Sequence, residues 1–204
     1  MTESDDTALA GLLCARLCHD LSGPITAAAA GTELLAEMGA DSETIALVAT
    51  AATAAVQRLK FLRAAFGPAS ADQKSDTLAT LSRAFLDSTT SQAAPTFVLD
   101  WRVAAPTLPA DGARLLLNLI LLIRDCLPMG GTVTIIAKPK ENGGAAATVI
   151  GRGRNATLPP DSLAALAGNP ATGPKGAQAA LARFLAGGMV QVTQNEAEVT
   201  LTVD

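Results

Sequence analysis

The sequence contains one histidine, His19, which is followed directly by Asp20 and, five residues on, by Pro24. An imidazole can act as a base, a metal ligand or a nucleophile, and a neighbouring carboxylate can orient the ring and favour one tautomer. A proline within a helical pattern removes a backbone hydrogen bond and bends the helix. This group of residues therefore indicates nucleophilic attack on phosphorus by an exposed imidazole on a kinked helix.

The helical phase around His19 predicts that its ring faces solvent. At 100° per residue, the apolar residues within about 20° of the direction opposite His19 are Leu17, Leu21, Ala28 and Leu35. The residues within about 40° of His19 itself are Thr26, Ala30, Glu33 and Glu37. The imidazole should project from the polar stripe. A lone histidine in that position can also be a surface residue or a hydrogen-bonded structural residue.

Metal binding and hydrolase chemistry fit the sequence less well. Cys14 and Cys18 share a helix face beside His19, but a structural zinc site needs a fourth ligand and this spacing matches no common zinc pattern. The two cysteines are better interpreted as small core residues. A serine or cysteine hydrolase would need a nucleophile elbow, and the sequence has none near the histidine. We therefore expect no metal site and no cofactor site.

The composition argues against several classes of partner. Of 204 residues, 49% are hydrophobic, and 15 basic against 19 acidic side chains give a net charge of −4 without a basic run, which disfavours nucleic acid. The longest apolar segment, 115–123, is too short to span a bilayer. Three cysteines and an acidic N-terminus favour a reducing compartment. The sequence predicts a cytoplasmic protein that does not bind a membrane.

Two helices joined by a tight turn should position His19. The patterns of residues 7–38 and 42–66 are helical, Gly39 can end the first helix, and Asp41 can cap the second. A hairpin of this kind cannot bury both of its apolar faces alone. Two chains forming a four-helix bundle would solve that problem, and we assign residues 1–68 to a helical-hairpin dimerisation domain.

Residues 76–204 predict a second domain in which helices and strands alternate. The helices are expected at residues 78–86, 111–127, 161–166 and 175–186. The strands are expected at residues 96–103, 132–137, 146–150, 189–193 and 198–203. Helices beside a mostly antiparallel sheet make this an α/β sandwich, and the whole chain an α+β protein.

The hexapeptide from His19 to Pro24 resembles the phospho-acceptor motif of the dimerisation domain of sensor histidine kinases, with Gly23 and Pro24 shaping the helix. Residues 118–135 are similar to the kinases' asparagine-containing helix and the turn and strand after it. Leu122, however, stands where those kinases have the metal-binding asparagine. Residues 151–155 replace the adenine-binding loop without an acid, and the phosphate lid at 173–176 is abbreviated. The resemblance implies a degenerate histidine-kinase ATPase-like domain that cannot use ATP.

Together, the acceptor hairpin and the degenerate domain are similar to the ChpT-type histidine phosphotransferases. This resemblance implies a homodimer in which His19, oriented by Asp20, accepts a phosphoryl group from the receiver domain of a hybrid histidine kinase. It then passes the group to response-regulator receivers, and Mg²⁺ comes with the receiver. Gly23 stands where kinases with phosphatase activity often carry Thr or Asn, so relay is expected rather than phosphatase activity.

The same resemblance suggests where a receiver would bind. Thr26, Ala30 and Glu33 extend the stripe of His19 along the helix, and Arg152 and Arg154 would meet the acidic rim of a receiver unless they are solvated loop charges. The alternative function is a pseudokinase-like dimeric scaffold that binds response regulators without being phosphorylated. The third hypothesis is an active ATP-dependent histidine kinase.

Overall fold

The computed structural model describes residues 3–68, 71–90, 96–141 and 144–204. Every helix and strand expected from the sequence is present, with bounds that differ by a few residues. The helices are α1 (Glu3–Met38), α2 (Ser42–Phe66), α3 (Ser75–Ser88), α4 (Ala110–Asp125), α5 (Pro160–Leu166) and α6 (Pro174–Leu185). The strands are β1 (Gln73–Lys74), β2 (Phe97–Trp101), β3 (Thr107–Leu108), β4 (Gly131–Pro139), β5 (Ala145–Arg152), β6 (Gln191–Gln194) and β7 (Glu198–Val203).

The turn between α1 and α2 is built as the sequence predicts. The Asp41 side chain accepts hydrogen bonds from the backbone N–H groups of Glu43 and Thr44, which have no partner within the helix. Gly39 has a φ of +86°, a conformation that costs a residue with a Cβ atom more than it costs glycine. These two residues reverse the chain and lay α2 along α1.

The main sheet has five strands in the order β2-β4-β5-β7-β6. β2 pairs with β4 in parallel, and the other three pairs are antiparallel. The expected α+β class is therefore confirmed. The small pair β1–β3 was not predicted, because two strands of two residues leave no alternating pattern to detect.

One hydrophobic core joins the helical hairpin to the sheet. α4 is buried along most of its length and packs on β5, and Phe61 and Leu62 of α2 belong to the same buried cluster. The rings of Phe61 and Phe85 stack with centroids 4.0 Å apart. The core is thus continuous across the proposed boundary between residues 1–68 and 76–204, and the division into two domains stays a prediction.

The outer face of α2 is apolar and exposed. Ile45, Val56 and Leu59 lie within about 60° of one another around this helix, and each is about half exposed. Among the described helices, α2 alone is long and apolar enough, by length and composition, to cross a membrane. A helix that packs against a second protein chain has the same composition.

Candidate functional site

His19 lies in the middle of α1 with 83% of its side chain exposed. Its Nδ1 atom is 3.2 Å from Oδ1 of Asp20, a carboxylate that is only 6% exposed. An ionised carboxylate only accepts hydrogen bonds, so this contact requires the proton on Nδ1 of the neutral ring. The lone pair is then on Nε2. The arrangement leaves an accessible nucleophilic nitrogen.

Two arginines hold the other oxygen of Asp20. Nε of Arg16 and Nη2 of Arg124 lie 2.9 Å and 3.1 Å from Oδ2. Arg16 also binds both carboxylate oxygens of Asp125, and Nε of Arg124 is 3.3 Å from that carboxylate. These four residues, Arg16, Asp20, Arg124 and Asp125, form the ionic cluster beneath His19. It joins α1 to α4.

The ionic cluster keeps Asp20 charged. Burial by itself would raise the pKa of the Asp20 carboxyl, but the charges of Arg124 and Arg16 and the hydrogen bond from His19 outweigh it and hold the pKa below the ordinary value. Burial likewise acts to lower the pKa of Arg16, and the charges and hydrogen bonds of Asp125 and Asp20 raise it instead. Asp20 is therefore an acceptor at neutral pH, not a proton donor.

Arg58 of α2 fixes the backbone beside the cluster. Its Nη1 donates to the carbonyl oxygen of Asp20 over 2.9 Å, and its Nη2 donates to that of Ser88 over 2.7 Å. The guanidinium of Arg124 lies 5.6 Å from the ring centre of Phe85 in α3. Four helices therefore contribute to the support under one histidine.

A groove of about 540 Å³ opens beside His19. Its walls are the ionic cluster and two short segments, residues 159–161 and 173–175. A larger cavity of about 600 Å³ lies between the start of α1 and the helices α5 and α6, but Arg183 is its only ionisable lining residue. We place the candidate site at the groove because it adjoins a nucleophile.

The predicted receiver contacts on α1 are all exposed. Thr26, Ala30 and Glu33 follow His19 along the outer surface of the helix. Gly23 is exposed with free space around it, whereas Pro24 is buried within a helix that continues past it. The bend expected at Pro24 and the roles of all five residues stay predictions.

The two arginines of the glycine-rich loop do not line the groove. Arg152 ends β5 and its Nε atom lies 2.5 Å from Oε2 of Glu198, so it already has an acidic partner. Arg154 follows in the loop and is exposed. Their proposed contact with a receiver is separate from the surroundings of His19.

The positions that resemble a nucleotide site are buried in the core or form hydrogen bonds within the chain. Leu122 is fully buried in the core, and Nδ2 of Asn118 donates to the carbonyl oxygen of Ala65 over 2.8 Å. At the N-terminus of α6, the carboxylate of Asp161 accepts hydrogen bonds from the backbone N–H groups of Thr172 and Gly176. A carboxylate therefore already occupies donors that a phosphate could use.

The three cysteines are arranged differently from the expectation. Cys14 and Cys18 are exposed, so the interpretation as small core residues is wrong for both; the residues that this part of α1 buries are Arg16 and Asp20. Cys126 is buried. Within the described residues, no group of three or more His, Cys, Asp or Glu side chains is close enough to hold a metal ion.

Sequence reasoning identified His19 and Asp20 but missed Arg16, Arg124 and Asp125. Arg16 and Asp20 are one helical turn apart, and that spacing of opposite charges was a detectable signal. The pairing of Arg16 with Asp125 joins residues 109 positions apart, and no local pattern reveals it.

Comparison with known proteins agrees with this chemistry. The family model described as "Histidine phosphotransferase C-terminal domain" matches residues 82–198. The protein phosphotransferase ChpT of Brucella abortus (strain 2308) is 38% identical over 128 residues, which are 62% of this chain and 59% of that protein's length. A solved bacterial phosphotransferase superposes with a TM-score of 0.82 at 26% identity, covering 100% of this chain and 98% of the other.

Proposed function

Since the chain belongs to the histidine phosphotransferase family, we propose that it relays a phosphoryl group between receiver domains through a phosphohistidine at His19. The donor is the receiver domain of a hybrid histidine kinase, and the acceptors are receiver domains of response regulators. The observation that carries the proposal is the exposed His19 ring, whose Nδ1 is 3.2 Å from the buried carboxylate of Asp20.

The reaction is a transfer from oxygen to nitrogen. Nε2 of His19 attacks the phosphorus of a receiver's aspartyl phosphate, the P–N bond forms, and the P–O bond to the receiver's carboxylate breaks. The proton on Nδ1 stays on the ring, so the product is a phosphorylated imidazolium. A second receiver carboxylate reverses these steps. The Mg²⁺ that such transfers require is supplied by the receiver in this proposal.

Asp20 assists in two ways. Its hydrogen bond keeps the proton on Nδ1, which leaves the lone pair on the nitrogen that faces an incoming receiver. Its negative charge then stabilises the positive charge that the ring gains on phosphorylation. Because the pKa of Asp20 is held below its ordinary value, this charge is present throughout the physiological range.

The relay does not use ATP in this proposal. Leu122 replaces a metal-binding asparagine, and the Asp161 carboxylate occupies backbone donors at the start of α6, where it would repel a phosphate. These features support the view that the C-terminal part is a degenerate ATPase-like domain. We expect Mg-ATP to change neither the melting temperature nor the fluorescence of Trp101.

We propose that the protein is a cytoplasmic homodimer. The exposed stripe of Ile45, Val56 and Leu59, with the small residues Ala49 and Ala52 between them, suits close packing against the same helices of a second chain. A receiver would then bind the outer surface of the bundle at Thr26, Ala30 and Glu33, with Arg152 and Arg154 as a second contact.

Transfer of label tests the function. The purified protein is incubated with a receiver domain that carries radiolabelled aspartyl phosphate, and wild type is compared with His19→Ala. We expect acid-labile, base-stable label on wild type only, because a phosphohistidine has those properties and His19 is the one histidine. A second, unlabelled receiver should then remove the label.

Two outcomes would contradict the relay. Equal labelling of His19→Ala would place the acceptor elsewhere, and a receiver complex without label on wild type would favour the unphosphorylated scaffold. Arg83→Gln is the matched control, because Arg83 is exposed on α3 and does not line the groove.

A further inference from the structure

The orientation of the Asp20 carboxylate is determined by residues outside the His–Asp motif. Oδ2 accepts from Arg16 of the same helix and from Arg124 of α4, and Oδ1 is left to face the His19 ring. A carboxylate on a free helix surface rotates about its terminal bond. Here both guanidiniums bind the same oxygen, so rotation would break two charge-assisted hydrogen bonds.

We infer that Arg16 and Arg124 are positioning residues for phosphoryl transfer, which act through Asp20 to fix the His19 tautomer with its lone pair on Nε2. This inference rests on the proposed function for its kinetic consequence. Its structural consequence, the tautomer of the free protein, does not depend on any receiver.

The surroundings of the two arginines support a fixed arrangement. Arg16 is 3% exposed and bridges Asp20 and Asp125, which are themselves nearly buried. Arg58 holds the backbone at Asp20 by donating a hydrogen bond to its carbonyl oxygen. Each charge in the ionic cluster thus has a partner of opposite sign. The cluster contacts the imidazole through one hydrogen bond, between Oδ1 of Asp20 and Nδ1 of His19. A change at Arg124 is therefore transmitted to the ring through one carboxylate.

The tautomer can be read directly. Because the chain has one histidine, ¹⁵N labelling of histidine gives one pair of ring signals, and the protonated nitrogen is assigned without ambiguity. In the wild-type protein, at a pH where the ring is uncharged, we expect the tautomer with the proton on Nδ1. Wild type in the Nε2–H form would overturn the inference.

Asp20→Asn provides the sharpest comparison. An amide of the same shape has one acceptor oxygen, which should turn to the two arginines and leave its NH₂ group facing His19. Nδ1 must then accept a hydrogen bond from that NH₂ group, so the ring proton moves to Nε2. A protonated Nε2 has no lone pair with which to attack phosphorus. We expect the reversed tautomer and a transfer rate lower by about a hundredfold or more. An unchanged tautomer would show that the arginines do not impose the orientation.

Arg124→Gln and Arg124→Lys test the arginine itself, with Arg83→Gln as control. We expect Arg124→Gln to give a mixture of tautomers and a single-turnover transfer rate lower by about tenfold, at unchanged receiver affinity. Arg124→Lys keeps a cationic donor for Oδ2 and should transfer faster than Arg124→Gln. Circular dichroism verifies that each variant is folded.

The outcomes separate this inference from the relay. If the rate loss of Arg124→Gln comes entirely from weaker receiver binding, Arg124 contacts the receiver and is not a positioning residue. If Arg124→Gln keeps the wild-type tautomer and rate, the inference is wrong while the relay stands. If His19→Ala is still labelled, the relay is wrong, and the tautomer measurements still decide the role of the arginines.

Discussion

Asp20 contributes to stability as well as to the proposed chemistry. Its folded-state pKa is lowered, on balance, by Arg124, Arg16 and the His19 hydrogen bond against the effect of burial, so folding favours the ionised form. The sign follows from linkage: this stability is fully present above the unfolded pKa of about 3.9 and is lost as the pH falls through the lower folded pKa.

The corresponding prediction compares wild type with Asp20→Asn. At pH 7 the substitution should lower the free energy of unfolding by about 3 kcal/mol, because two largely buried guanidiniums lose a charged partner. In urea titrations the difference should shrink steadily below pH 4. A difference that stays constant down to pH 2 would mean that Asp20 does not supply this charge.

Cys126 differs from Cys14 and Cys18 in being buried. Burial, with a further contribution from the negative charge of Asp125, raises the pKa of its thiol to about 12, and Sγ donates to the carbonyl oxygen of Leu122 over 3.1 Å. At pH 8 we expect a disulfide reagent to modify exposed Cys14 and Cys18 at least about a hundredfold faster than Cys126.

A variant with Cys14→Ser and Cys18→Ser isolates that measurement. Its one remaining thiol should react only after urea unfolds the chain. Rapid modification under native conditions would show that the region around Cys126 opens easily.

At the scale of the elements, α4 lies so close to β5 that only glycine fits at one position. A Cβ atom added to Gly112 would be 2.7 Å from Cβ and 3.1 Å from the backbone nitrogen of Ala145. A Cβ atom added to Gly11 of α1, by contrast, would meet no heavy atom of the described residues within 4 Å apart from its chain neighbours and its own helix backbone. The two glycines therefore predict opposite effects for one substitution.

Gly112→Ala should lower the free energy of unfolding by about 1–3 kcal/mol, because the helix must move away from the strand. Gly11→Ala should raise it by about 0.5–1 kcal/mol, since alanine loses less backbone entropy on helix formation. Urea titration of both variants provides the comparison. A stabilising Gly112→Ala would mean that α4 shifts at no cost.

Local signals predicted most of these elements, and long-range pairing explains what was missed. Asp41 and Gly39 are visible in the sequence as a cap and a turn, and the structure uses them in those roles. Asn118 was assigned only by its similarity to a kinase helix. The structure shows that its Oδ1 accepts a hydrogen bond from Gln178, 60 positions away, and nothing in the neighbouring residues indicates that partner.

The difference between local signals and long-range contacts also applies to the surroundings of His19. His19 and Asp20 are adjacent, and the chemistry of the pair could be argued from their types alone. The burial of Asp20 could not be predicted from its neighbours in the sequence. Arg58 and Arg124, which contact Asp20, belong to other helices. The nucleophile is thus a local property of the chain, and its support is a tertiary one.

For the whole molecule, the exposed face of α2 predicts how the chain associates. Val56 and Leu59 are each about half exposed on this face. Replacing both with Glu would put two charges from each chain at the centre of the proposed bundle, where they would lose solvation without a partner. We expect light scattering to show a dimer for wild type and a monomer for the double variant, with unchanged helical circular dichroism.

Leu163→Glu is the control, because Leu163 is similarly exposed but lies on α5. It should leave the dimer intact. Wild-type protein that is monomeric at micromolar concentration would contradict the proposed dimer.

The salt bridge between Arg124 and Asp20 has a consequence for protein engineering. A fragment of residues 1–68, used as an isolated phospho-acceptor domain, would keep His19 and Asp20 but would lack Arg124 and Asp125. Arg16 would lose Asp125, and the carboxylate next to the imidazole would keep only one of the two guanidiniums that orient it. Grafting this acceptor into another scaffold therefore means transplanting a contact surface from α4 together with the helix that bears the histidine.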